Sequence, residues 1–88
     1  MQFSELQDRV LEIKQAYNVL NKKNNQKTRS ANEYVQGFMG DVGMLAKLVM
    51  AKTGYRNIAD VDAKLEAELL DCLWSIIVIA DELSIDLE

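Results

Sequence analysis

The C-terminal third of the chain carries apolar side chains on two helical stripes at once. Leu65, Leu69, Cys72, Ile76, Ile79 and Leu83 recur at three- and four-residue steps, and Leu70, Leu73, Trp74 and Ile77 form a second row. A helix that is apolar on two sides has to be buried on two sides. A chain of 88 residues has room for one domain, and a monomer of that size buries only about 60–70% of the surface its unfolded chain exposes. One stripe is therefore assigned to the subunit's own core and the other to a partner subunit. The expected architecture is all-α, a bundle of three main helices per subunit completed by oligomerisation, with residues 1–88 as one domain.

The other two helices follow from the same spacing. Phe3, Leu6, Val10, Ile13, Tyr17 and Leu20 form a single stripe, and Ser4 with Gln7 reads as a capping box, which places a helix at about 4–21. Residues 21–30, NKKNNQKTRS, hold no apolar side chain and predict a basic polar loop. Its Lys22, Lys23, Lys27 and Arg29 suit either plain solvation or a cover that reaches an anionic ligand. Ser30 and Glu33 make a second capping box, and Val35, Phe38, Val42, Leu45 and Val49 the core stripe of a helix at about 31–53, ended by Gly54. Gly37, Gly40 and Gly43 inside it each cost about 1 kcal/mol against Ala, so close packing of another helix, or of a ligand, is expected there. Asn57 or Asp60 caps the last helix, at about 58–83, and Ser84 is placed to start a further one at 84–88.

Composition removes whole classes of chemistry. The chain has no His, hence no imidazole base, no His zinc ligand, no catalytic triad and no Glu-x-x-His di-iron site. One Cys forms no internal disulfide, which fits a reducing, cytoplasmic setting. The longest apolar run, Ile76–Ala80, falls far short of the roughly 20 residues of a membrane span, and the polar start MQFSELQDRV is unlike a signal peptide. No membrane partner is expected. Net charge is −4, divided into +3 over residues 1–30 and −7 over residues 31–88. The acidic part disfavours nucleic acid, whose non-specific affinity rests on phosphate neutralisation, and suits cations.

Two acids interrupt the apolar segment LEAELLDCLWSIIVIA. Glu68 and Asp71, three apart, project from one helix face, where a hard divalent cation takes oxygen ligands. Such pairs are common on solvated helix faces; among apolar neighbours, however, two like charges are costly unless neutralised. Asp41, between Gly40 and Gly43, is flanked at helical spacing by Tyr34, Phe38, Leu45 and Leu48. Antiparallel packing of the second and third helices would bring it to Glu68 and Asp71 as a third ligand. Lys47, Lys52 and Arg56 are candidate phosphate contacts, and Trp74 a candidate base-stacking residue, although a solvated lysine and a core aromatic are the commoner roles. Cys72 is expected to be inert.

The segment Gly40-Asp41-Val42-Gly43-Met44-Leu45-Ala46-Lys47 resembles the E-E-V-G-E-L-A segment of MazG-like nucleotide pyrophosphohydrolases, in the all-α NTP pyrophosphatase superfamily. Glu68-Leu-Leu-Asp71-Cys-Leu-Trp74 is similar to that family's E-L-x-D-x-L-W, and Leu83-Ser-Ile-Asp86-Leu-Glu88 to its G-I-D-L-E. The resemblance covers about residues 31–88. It implies hydrolysis of a nucleoside or deoxynucleoside triphosphate to the monophosphate and pyrophosphate. It further implies Mg²⁺, with Mn²⁺ as a substitute, held by acids of two helices, and a dimer or tetramer in which two subunits complete each site.

Carried over position by position, the first motif's two Glu fall on Asp41 and Met44, and its preceding acid on Gly40. A thioether does not replace a carboxylate on a hard ion. Met44 thus favours an alternative, a catalytically impaired nucleotide-binding or protein-interaction module, whereas the retained Asp41, Glu68 and Asp71 favour the enzyme.

Overall fold

The computed structural model describes residues 2–26 and 29–88. It is all-helical: α1 spans Phe3–Lys23, α2 Ala31–Lys52 and α3 Val61–Glu82. The expected Lys27 contribution to the basic loop lies outside the described residues.

All three helices stop in the same way. Past α2, Gly54 sits at φ +95°, its N–H donates to Ala51 O at 3.2 Å, and the next N–H, of Tyr55, donates to Met50 O at 2.8 Å. This pair of backward bonds satisfies the last free carbonyls. Asn25 ends α1 likewise, at φ +55° with Gln26 N–H on Asn21 O, and Ser84 ends α3 at φ +56° with Ile85 N–H on Ala80 O. Ser84 therefore terminates a helix instead of starting one, and residues 85–88 are not helical. Helix α1 also runs two residues beyond its expected end: Lys22 and Lys23 form its last turn, where cations complement the helix dipole.

The helix starts correct three expectations. Ser4 lies inside α1, behind an N-cap at Gln2, so no capping box forms there. Ser30 does cap α2, but its hydroxyl faces Glu33 Oε1 at 3.4 Å and no side-chain bond to the helix backbone is made. Asp60 is the N-cap of α3, with φ +54°, so that helix begins at Val61 and not near residue 58.

Helices α2 and α3 form an antiparallel hairpin. Lys52 meets Asp62 at one end and Tyr34 meets Trp74 at the other, with Asp41 opposite Asp71 between them. Helix α1 lies across the C-terminal half of α3, with Val10 packed into a cluster with Tyr34, Ile77 and Val78. It is anchored by Lys14, whose buried ammonium donates to Asp81 Oδ2 at 2.8 Å and Glu82 Oε1 at 2.7 Å. Burial opposes that charge, but the hydrogen bonds to Asp81 and Glu82 outweigh it and hold the Lys14 pKa above its ordinary value.

The single chain is open. Its radius of gyration is 15.0 Å, against about 12 Å for a compact globule of this length, and its thinnest dimension is 20 Å, two helix diameters. Much of the expected core faces outward. On α1, Val10 is buried, while Phe3, Ile13, Tyr17 and Leu20 are exposed. On α2 the stripe splits: Phe38 and Leu45 turn toward α3, and Val35, Val42 and Val49 are exposed together with Met39. On α3, Leu69, Leu73, Ile76 and Leu83 are exposed as well. Both outer stripes run at steps of four, three and seven residues, about a quarter turn from the face each helix gives its neighbour, so both lie on one side of the hairpin. Gly37, Gly40 and Gly43 have open space within 4 Å of where a Cβ would stand. The close packing expected at them is not made among the described residues. Among the described residues no helix is long and apolar enough to cross a membrane.

Candidate metal centre

The hairpin register brings Asp41 of α2 to Glu68 and Asp71 of α3, as the spacing predicts for antiparallel helices. One carboxylate oxygen from each lies within 4.8 Å of the other two, close to the roughly 4.2 Å between opposite ligands of one Mg²⁺ ion. Asp41 and Glu68 are half-buried and Asp71 exposed. Among the described residues no cation pairs with any of the three.

Glu68 is the least comfortable of them. Its Oε2 is fully buried and has no hydrogen-bond partner, and a buried carboxylate oxygen left so is costly. Burial, then the charges of Asp41 and Asp71, push its pKa above the ordinary carboxylate value. Those influences also raise the thiol of the buried Cys72, burial first and the three carboxylates after it. Cys72 therefore stays a protonated, unreactive thiol, in line with its expected role. Three hard oxygen donors, one of them orphaned, fit a divalent cation of the Mg²⁺ kind.

Two cavities adjoin the three acids. One, of about 210 Å³, is lined by Asp41, Asp71, Phe38, Tyr34, Trp74 and Arg29 among others. Trp74 is half-buried there and edge-on to Tyr34, with ring centres 6.2 Å apart. This cavity has an aromatic wall beside acids, and Arg29 brings the basic segment to its rim. The other, of about 540 Å³, is lined by Met44, Lys47, Arg56, Lys64 and Glu68 with apolar Leu48 and Ile58. Lys47 and Arg56 thus share a cavity with Glu68. Lys52 does not: it pairs with Asp62 at 2.6 Å and lines neither cavity.

Lys64 was not among the candidates from sequence. Its signal was there, one helical turn before Glu68 and on the same face. Arg29 was legible only as part of a basic segment, because its position depends on how α1 and α2 are joined. Comparison with family models, with curated proteins and with solved structures gives no match for this chain.

Proposed function

We propose that this chain is a MazG-like nucleotide pyrophosphohydrolase, cleaving a nucleoside or deoxynucleoside triphosphate to the monophosphate and pyrophosphate with Mg²⁺ or Mn²⁺. The observation that carries the reading is the convergence of Asp41, Glu68 and Asp71 around a buried, unpartnered Glu68 oxygen. A bound divalent ion supplies charge neutralisation and a more acidic water.

The residues have distinct parts. Asp41, Glu68 and Asp71 hold the ion. Trp74 and Phe38 offer the apolar wall for a base, and Lys47 and Arg56 offer positive charge to phosphates. Burial and the neighbouring carboxylates raise the Glu68 pKa, and a cation held between the three acids opposes that rise. The exposed apolar side of the hairpin supports a homodimer or a dimer of dimers, since so broad an apolar surface is a mark of association.

Pyrophosphate release from a panel of NTPs and dNTPs, with Mg²⁺ or Mn²⁺, tests the reading. Release is expected from the wild type, and Glu68→Gln should lower it at least 100-fold. Absence of release from every nucleotide would overturn the hydrolase. A second reading rests on Met44, which stands in the larger cavity where the resembled motif has a carboxylate. It is a nucleotide-binding module without turnover, and it leads if nucleotide binds in the presence of Mg²⁺ yet is not cleaved.

A further inference from the structure

Residues 31–88 hold eleven acids and only four basic residues, Lys47, Lys52, Arg56 and Lys64. Three of those four line one cavity. None of the three makes a side-chain ion pair or hydrogen bond among the described residues, whereas the fourth, Lys52, is neutralised by Asp62. Cations come from three separate elements: Lys47 from α2, Arg56 from the connection and Lys64 from α3. The cavity's one carboxylate is Glu68, which is also a member of the acidic trio. Unpaired cations converging on a concavity within an acidic half-chain repel one another and favour a polyanion.

We propose that the cavity walled by Lys47, Arg56 and Lys64 is a seat for a diphosphate group that binds without a divalent cation, the three side chains supplying charge that Met44 cannot help a second metal ion to supply. The proposal rests on the reading of Asp41, Glu68 and Asp71 as a cation site, because Glu68 joins the two. A diphosphate has two phosphoryl groups and at least three charged oxygens near neutral pH. Lysine ammonium groups and a guanidinium fork match those oxygens with charge-assisted hydrogen bonds. The volume of about 540 Å³ leaves room for such a group and its water.

The test is calorimetric titration of the full chain with inorganic pyrophosphate in excess chelator. Binding is expected in the wild type. The double variant Lys47→Gln, Lys64→Gln should weaken it at least tenfold, and Met44→Glu, which adds a carboxylate to the cavity, about as much. Lys22→Gln, at the end of α1 and outside every cavity described, should stay within twofold. Glu68→Gln should bind as tightly as wild type or more tightly in chelator. No pyrophosphate binding in chelator, or equal losses in Lys22→Gln and the cavity variant, would overturn the seat. A non-hydrolysable nucleoside triphosphate, titrated in parallel, identifies the source of the group. Loss of both ligands in the double variant marks a seat for the nucleotide's terminal phosphates, and loss of pyrophosphate alone a product site; either result supports the proposal. Chelator-resistant binding in a wild type that hydrolyses no nucleotide would leave the seat standing and sink the hydrolase.

Discussion

The C-terminal end and the middle of α3 treat carboxylates in opposite ways. At the C-terminal end, Asp81 and Glu82 share the buried ammonium of Lys14, and the three groups lock α1 onto the hairpin. In the middle, Asp41, Glu68 and Asp71 bring carboxylate oxygens within 4.8 Å of one another with no paired cation among the described residues, and one oxygen is sealed away without a partner. Residue type does not separate the two, since both are acids on an apolar helix. Pairing does. A buried charge with its counter-charge is architecture, whereas a buried charge without one is a vacancy in the energetics that a ligand can fill.

Breaking the paired end should have the largest effect. Lys14→Met leaves Asp81 and Glu82 side by side and unpaired, and is expected to cost about 3 kcal/mol. Thermal melting reads this as a fall on the order of 10 °C or more. A loss under about 1 kcal/mol would mean that the lock is decorative.

The unpaired centre should respond to metal instead. Mg²⁺ at a hundred times its dissociation constant should add about 2.7 kcal/mol to the wild type by linkage and nothing to Glu68→Gln. Its pH response should also have a definite sign. Because the folded-state pKa of Glu68 is raised, the folded chain holds that proton more tightly than the unfolded chain does. This contribution to stability is complete below the unfolded value of about 4.3 and is lost as pH rises through the raised folded value. In chelator at pH 7, Glu68→Gln should accordingly melt higher than wild type, by about 1 kcal/mol, with the difference vanishing toward pH 4. Equal melting at pH 7 would show that Glu68 already has a partner.

The smallest effect sharpens the contrast between bare and occupied surfaces. Gly40→Ala meets nothing within 4 Å and should stabilise α2 by up to about 1 kcal/mol. Destabilisation in its place would reveal a second subunit packed there.

These contrasts were unequally visible in the sequence. Helix periods and end signals were strong enough to place all three helices within a few residues. The acidic trio was legible because Glu68 and Asp71 interrupt an apolar run and the segment 53–60 is too short for anything but an antiparallel return. The Lys14 lock was not legible. Lys14 stands next to Ile13 in the expected α1 stripe, and only the angle at which α1 crosses α3 decides which of the two turns inward. At the glycines the sequence shows only an intrinsic cost, and no described part of the single chain packs against them. Ser84 misled because its preference for a helix start takes no account of the preceding last turn, which places it in a left-handed conformation uncommon for serine.

The short connection between α2 and α3 has a consequence for the order in which the molecule assembles. Closing so small a loop is fast and entropically cheap, so the hairpin is the natural first tertiary event and α1 docks onto it afterwards. Asp41, Glu68 and Asp71 all belong to that hairpin. Their mutual repulsion is then met on the way up the folding barrier and not after it, which makes the acids a brake on folding rate. A divalent cation held by the three acids would release that brake, and refolding should then be faster in Mg²⁺ than in chelator.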